Sequence, residues 1–179
     1  MNIAKKLALI ILGLSLCSSL QAAGKIKFNF KNKDLVDVIE AYSKASKTSF
    51  VMTSKTDLKV SIFNSEKVSQ DEALAQLARA LKQDGLSLVK MGDSMNVVKA
   101  RHATRDNIPV YKKMPQRMYD HMATLVVVPA KDKALKIVKE FRILSSKDGE
   151  IQAFDNKLYI TDFYSNLLRV EKLINEVEE

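Results

Sequence analysis

The chain has 179 residues, with 29 lysines and arginines against 21 acidic residues, a formal net charge of +8 and a single cysteine, Cys17. This length allows one ordinary domain or two small ones. A lone cysteine excludes an internal disulfide framework. The positive balance makes nucleic acid and acidic proteins the classes of partner to be weighed.

Residues 1–22 have the pattern of a secretory signal peptide. Two lysines precede an apolar run at 7–16, which is shorter than the roughly 20 residues of a membrane span. We expect cleavage after Ala22, export to the periplasm and no membrane span in the mature chain. Cleavage removes two lysines and no acid, so the charge falls from +8 to +6. Lipidation of Cys17 is the alternative, although Leu16 stands where a small residue is usual.

Residues 23–100 are expected to form a first α+β domain in the order β-α-β-β-α-β-β. Alternating apolar residues predict a first strand from Ile26 to Phe30. A helix follows, capped by Asn32 or Asp34, and then a strand from Ser49 to Thr53. The helix has one apolar face at i, i+3, i+4 and i+7, formed by Leu35, Val38, Ile39 and Tyr42.

The second half of this domain repeats the strand and helix signals. Alternation predicts a strand from Leu58 to Phe63, and Ser69 with Glu72 forms a capping box that begins the next helix. Gly85 is suited to end that helix in the left-handed conformation. A hairpin around 92–94 closes the domain near Ala100.

Residues 101–122 show mixed charge, two prolines and no periodicity, which is typical of a linker. Two histidines, His102 and His121, lie in it without a cysteine nearby, and we interpret them as solvated residues. A domain boundary is therefore expected inside this range.

Residues 123–179 are expected to form a second domain in the order β-α-β-β-α. An apolar strand from Thr124 to Val128 precedes a helix. A hairpin turns at Asp155-Asn156, residues that tolerate turn geometry. The two helical faces are formed by Ala134, Ile137, Val138 and Phe141, and by Leu167, Val170, Ile174 and Val177.

The residues contain no pattern that predicts catalysis. No glycine-rich phosphate loop follows a strand, and Ser145-Ser146 has no histidine close in sequence to activate it. We therefore predict that the protein is not an enzyme and that it has no catalytic, cofactor or metal site.

The order of motifs resembles the N-terminal periplasmic domains of secretins, the outer-membrane channels of type II secretion and type IV pilus systems. The segments that carry the first resemblance are IKFNFKNKDLVDVIEAYSKASKTSFVM, LKVSIFNSEKVSQDEALAQLARAL and GLSLVKMGDSMNVVKA. In the second domain TLVVVPAKD, FDNKLYITD and LLRVEKLINEVEE are similar to the next secretin module, which has a KH-like fold. The sequence includes no run of strands that could build a barrel, so we expect that this chain is not itself the channel.

The resemblance implies a non-enzymatic protein-interaction module of a type II secretion or type IV pilus-like machine. Its implied partners are an inner-membrane component of the machine or a full-length secretin, and association into a homo-oligomer is possible. Nucleic acid is not expected, because the second domain lacks a GxxG loop and has 9 basic against 10 acidic residues. The alternative is a periplasmic sensor or ligand-binding domain, since the first domain also resembles the short N-terminal domain of TonB-dependent signalling receptors.

A strand edge is the expected place of contact, because unpaired amides and carbonyls can accept an added strand. The candidate strands are Ile26 to Phe30 and Leu58 to Phe63. Their outward residues Lys27 and Asn29, or Lys59 and Ser61, are the candidate partner-binding residues.

Overall fold

The computed structural model describes residues 24–52, 56–130 and 133–178. The predicted signal peptide, its cleavage site and Cys17 lie outside the described residues. The strands are β1 (Phe30–Asp34), β2 (Ser49–Met52), β3 (Lys59–Ile62), β4 (Leu86–Met91), β5 (Ser94–Lys99), β6 (Val110–Tyr111), β7 (Met122–Val127), β8 (Glu150–Phe154) and β9 (Lys157–Phe163). The helices are α1 (Leu35–Ser46), α2 (Gln70–Gln83), α3 (Ala100–Ala103), α4 (Ala134–Phe141) and α5 (Tyr164–Glu178).

The first domain has the predicted α+β order, and its five strands form two small sheets. β1 and β3 pair antiparallel as a two-stranded sheet, and β2, β5 and β4 form a second sheet in which β2 runs parallel to β5. One face of each helix packs into a single core, whose largest fully buried side chains are Phe28, Leu35, Leu77, Leu81 and Leu88. Small strands become stable here because two helices cover them.

The first strand begins later than predicted, at Phe30 rather than Ile26. Ile26 makes only an isolated bridge to Val68. Phe28 is 1% exposed and packs edge-on against Phe30 and Tyr42, with ring centroids 5.0 and 6.0 Å apart. The alternating apolar pattern at 26–30 therefore reflects a buried extended segment, not a continuous ladder.

The first helix is capped by backbone instead of the predicted Asn32 or Asp34 side chain. The Leu35 amide donates to the Leu58 carbonyl at 2.8 Å. Asp34 occupies the cap position without a side-chain bond, and its carboxylate lies 3.2 Å from the Lys59 ammonium. Asn32 has φ 50° at a bulge in β1. The second helix follows half of the predicted capping box. The Glu72 amide donates to the Ser69 hydroxyl oxygen at 3.1 Å, but the Glu72 carboxylate accepts from Arg79 at 2.8 Å instead of reaching back to the cap.

The range predicted as an unpatterned linker contains regular structure. α3 begins at Ala100, and β6 pairs parallel with β7 through Val110 and Thr124. His121 is 2% exposed, so its interpretation as a solvated histidine was wrong. Periodicity is invisible here because both elements are too short to repeat an apolar spacing.

The second domain has the predicted β-α-β-β-α order, with β6 added at one edge. Its sheet has the strand order β6-β7-β9-β8, and the α4 and α5 helices pack against it. The β8–β9 hairpin turns through Asp155 and Asn156, both left-handed at φ 50° and 51°. Such angles match the turn that favours the right-handed twist of a hairpin.

A buried carboxylate, that of Asp162, ties the loop before β8 to the last strand and helix. It accepts hydrogen bonds from the Ser146 amide at 2.7 Å, the Phe163 amide at 2.7 Å and the Asn166 side-chain nitrogen at 2.5 Å. A methyl group on Gly149 would overlap this carboxylate. The sequence marks Gly149 only as a chain break. The structure requires a glycine there because the Asp162 carboxylate approaches its backbone closely.

We predict that Gly149→Ala destabilises the protein by about 1–3 kcal/mol, the usual cost of overpacking. The added methyl group must displace the Asp162 carboxylate, and its hydrogen-bond donors would then stay buried without a partner. Urea unfolding measures the difference. Gly24→Ala is the matched control, since nothing lies within 4 Å of its added Cβ. An unchanged midpoint for Gly149→Ala would contradict the role of this contact.

Each domain has its own core, and a third buried cluster joins them. That cluster is formed by Val89, Ala100, Ala103, Met122 and Phe163. The Met122 amide also donates to the Ser87 hydroxyl at 2.9 Å, across the two sheets. Folding of 24–100 and 123–179 as separate units stays a prediction.

We expect limited trypsin digestion to cut first between Arg101 and Arg117. Basic residues at 105, 112, 113 and 117 are exposed there, and cleavage sites concentrate in such surface loops. Two stable fragments, identified by mass spectrometry, are the expected result. Loss of the whole chain without a stable fragment would argue against two units.

Candidate protein-interaction surface

A basic two-stranded sheet stands at one side of the first domain. β1 and β3 pair only with each other among the described strands, so each has one open edge. We call residues 25–34 and 59–62 the basic ribbon. Its exposed cations are Lys25, Lys27, Lys31, Lys33 and Lys59. Only Lys59 forms an ion pair with a described residue, Asp34, and both side chains are more than half exposed. Pairs of this kind contribute little, so the ribbon's positive potential is largely available to a partner.

Of the four predicted contact residues, two are used inside the domain. The Ser61 hydroxyl oxygen accepts from the Asn32 amide at 2.9 Å and so holds the β1 bulge. Asn29 exchanges two hydrogen bonds with the Asn64 backbone, at 2.8 and 2.5 Å. Lys27 and Lys59 extend from the surface. The structure brings all four to the basic ribbon, and it leaves the two lysines as the better candidates for contact.

Asn64 anchors the N-terminal segment, and sequence reasoning missed it. Its side-chain nitrogen donates to the Phe28 carbonyl at 2.6 Å and to the Gln76 side-chain oxygen at 2.9 Å. Gln76 donates back to Asn64 at 2.7 Å. An isolated asparagine after a strand normally signals only a turn, so no pattern in the sequence distinguishes this role.

A shallow groove of about 340 Å³ runs between the open edge of β3 and helix α2. The strand wall consists of residues 59–63, and the helix wall includes Gln76, Arg79 and Gln83. Phe63 stands at its end with 74% of its surface exposed. An extended segment laid along β3 would meet backbone groups, a polar helix face and one aromatic ring.

The two domains are joined by a charged contact next to the third buried cluster. The Lys82 ammonium donates to the Asp120 carboxylate at 3.0 Å and to the Ser165 hydroxyl at 2.6 Å. Asp120 is 9% exposed and also accepts from the Ser165 amide at 3.0 Å. Lys82 lies 5.0 Å from the centroid of the Phe163 ring. A nearly buried carboxylate with these donors sets the angle between α2 and α5.

His121 is buried beside this contact, between two aromatic rings. Its Nδ1 lies 2.8 Å from the Tyr119 carbonyl, so Nδ1 carries the proton. Nε2 has no hydrogen-bond partner among the described residues. The ring stacks on Tyr164 at 6.0 Å. Burial lowers the pKa of His121 below its ordinary value of 6.5, although the Tyr119 bond and Asp120 act in the opposite direction.

We predict that the free energy of unfolding falls as the pH drops below 6.5. Because the pKa of His121 is lower in the folded protein, the unfolded chain binds more protons below that pH. The slope can reach about 1.4 kcal/mol per pH unit for one proton. Urea unfolding between about pH 5 and pH 8 measures it. His121→Gln should flatten the curve and the exposed His102→Gln should leave it unchanged; equal curves for all three proteins would contradict this role.

No metal cluster and no helix able to span a membrane occur in the part of the chain that the structure describes. His102 is exposed, whereas His121 is buried. No curated protein is detectably similar in sequence.

Residues 28–99 match the family model described as "GspD-like, N0 domain". In structure, the chain is similar to a chain of the Klebsiella pneumoniae type II secretion system outer membrane complex of PulD, PulS and the PulC HR domain. The TM-score is 0.75 at 17% identity, over 86% of this chain and 27% of the other, so this chain spans about a quarter of that length. The N-terminal domain of the secretin XcpQ from Pseudomonas aeruginosa matches over 87% of this chain and 66% of its own, at 20% identity and a TM-score of 0.40.

A further match is the GspC–GspD complex of enterotoxigenic Escherichia coli, at 19% identity and a TM-score of 0.39, over 87% of this chain and 99% of the other. The family match confirms the resemblance to secretins for the first domain, whose segments it covers. No finding supports the alternative of a TonB-type sensor domain. Over residues 28–99 the chain therefore carries a secretin N-terminal domain of the GspD-like N0 type, related to type II secretion.

Proposed function

We propose that the protein is a non-enzymatic, periplasmic interaction module of a type II secretion machine, and that its basic ribbon docks an acidic segment of another component. The observation that carries this proposal is a two-stranded sheet with open edges and four exposed lysines outside any ion pair with described residues. Open strand edges bind extended segments through main-chain hydrogen bonds.

Charge supports an acidic partner for this surface. Without residues 1–22 the chain has a formal net charge of +6, whereas residues 123–179 carry 9 basic and 10 acidic residues. The positive excess that remains therefore lies in the first domain and in 101–122. Such a field speeds association with an acidic protein and weakens it as salt rises.

The matched structures support the same class of partner. The one with a TM-score of 0.75 is an assembly of secretin-system proteins, PulD with PulS and the PulC HR domain. By analogy, the partner of this chain is another protein of such a machine, either an inner-membrane component or a full-length secretin. The fold alone does not carry this step, since related folds serve different tasks.

We expect Lys27→Glu to weaken the association without harming the fold, because exposed substitutions usually change stability by less than about 0.5 kcal/mol. Lys59→Glu should weaken it as well, and it also loses the Asp34 pair, worth at most about 1 kcal/mol. Pull-down from periplasmic extract with residues 23–179 as bait, across a salt series, measures both effects. The association of both variants should also depend less on salt concentration than that of the wild type.

Two controls separate docking from stability. Lys172→Glu reverses an exposed lysine on α5, in the other domain, and should bind like the wild type. Combining Lys59→Glu with Asp34→Lys restores the local ion pair with reversed polarity. If the wild type recovers no secretion component at low salt, the proposed function fails.

A further inference from the structure

The other domain also has an open strand edge, on β8. β8 is an outer strand of its sheet. The residues that flank its two-residue turn, Phe154 and Lys157, face each other and form a hydrogen-bonded pair. Such pairs alternate along antiparallel strands, so Ile151 and Ala153 point their amides and carbonyls away from β9. These groups have no hydrogen-bond partner within the described part of the chain.

Helix α4 runs beside this edge and makes it the wall of a groove. One cavity of about 390 Å³ lies between Leu135 on the helix and Ala153 and Phe154 on the strand. A second, of about 440 Å³, lies further along, between Arg142 and the segment from Gly149 to Ile151. We call these two cavities and the strand edge between them the edge groove. Its length and its unpaired groups suit an extended chain.

The two ends of the edge groove differ in chemistry. Leu135 and Phe154 are 70% and 75% exposed, so one end offers apolar surface. At the other end, Arg142 makes no side-chain hydrogen bond or ion pair with a described residue. A guanidinium in this position is a fitting donor for a carboxylate.

We propose that the edge groove binds an extended segment of another protein as an added strand beside β8. An apolar side chain of that segment packs against Leu135 and Phe154, and a carboxylate side chain pairs with Arg142. This site is separate from the basic ribbon and does not depend on the proposed function. Main-chain bonds to Ile151 and Ala153 provide affinity, and the two cavities provide selectivity.

The surroundings disfavour other occupants. Glu150 and Asp155 line the two cavities, so the successive phosphates of a nucleic acid would meet both carboxylates, whereas a single carboxylate can be placed against Arg142 alone. A second copy that paired antiparallel through its own β8, centred on Gln152, would place Glu150 beside Phe154 of that copy. A charged group against an aromatic ring would lose solvation without a partner.

The probe is a blocked peptide of about nine residues with alternating threonines. Its aspartate and leucine are separated by the same number of residues as Gly149 and Ala153, so that they lie opposite the two ends of the edge groove. A second peptide has the two residues in reverse order, because the added strand can run parallel or antiparallel to β8. Amide hydrogen exchange by NMR is the readout. We expect one peptide to slow exchange at Ile151 and Ala153 by about tenfold or more. The Gln152 amide, already bonded to β9, should not change.

Matched variants test each end of the edge groove. Arg142→Glu should weaken binding by about tenfold, and a peptide with lysine in place of aspartate should restore it. Lys139→Glu, an exposed reversal on the same helix that does not line the cavities, should stay within about twofold. Leu135→Asp should weaken binding, whereas Ile143→Asp, at a side chain 85% exposed outside the cavities, should not.

Several results would overturn the proposal. The first is that neither peptide slows amide exchange at Ile151 and Ala153, and the second is that Arg142→Glu leaves peptide affinity unchanged. The third is that exchange slows with rising protein concentration in the absence of peptide. The fourth is that single-stranded oligothymidine displaces the peptide. The third result would indicate a second copy as the occupant and the fourth a nucleic acid. Lys27→Glu should leave peptide binding unchanged, so failure here is distinct from failure of the basic ribbon.

Discussion

The constraint on which this structure depends is that each small sheet is covered by helices on one face and stays open at its edges. Two helices per domain supply enough apolar surface to bury one side of short strands. No described strand covers the outer edges of β1, β3 and β8. Soluble proteins usually blunt such edges with lysines or bulges, and both devices occur in the basic ribbon. Its lysines therefore protect the open edges in the free protein, and we propose that they also attract an acidic segment of a partner.

The position of one domain against the other is set by buried polar contacts as much as by apolar packing. Asp120 accepts hydrogen bonds from Lys82 and Ser165, and the Ser87 hydroxyl accepts one from the Met122 amide. Buried polar groups that are fully paired make an arrangement specific. His121, whose Nε2 is unpaired among the described residues, is the exception within this joint. Because burial lowers the pKa of His121, protonation of this residue in acid would weaken the joint.

The two proposed docking surfaces differ in what they would recognise. The basic ribbon would attract negative charge broadly, because its lysines are exposed. The edge groove would select more narrowly, because a partner must match an apolar end and a single arginine at a fixed separation. A module with both surfaces can contact two segments at once, since the surfaces lie in different domains. Linked contacts of this kind strengthen an assembly without a tight individual site.

The sequence by itself determined the order of the elements, most of their apolar faces and the resemblance to secretin N-terminal domains. Residues such as Ser69, Gly85 and the Asp155-Asn156 pair carry strong local signals, because capping and left-handed turns depend on the residue and its neighbours alone. The order of motifs was enough to indicate a secretin N-terminal domain. The sequence alone also showed the excess of positive charge.

Only the tertiary structure decided which residues meet. The pairing of β1 with β3 made Ser61 and Asn29 internal and left Lys27 and Lys59 outside. The burial of His121, the need for Gly149 beside Asp162 and the edge groove all arise from chain segments distant in sequence. Local patterns do not record such contacts, because which polar group becomes buried or paired depends on packing between whole elements.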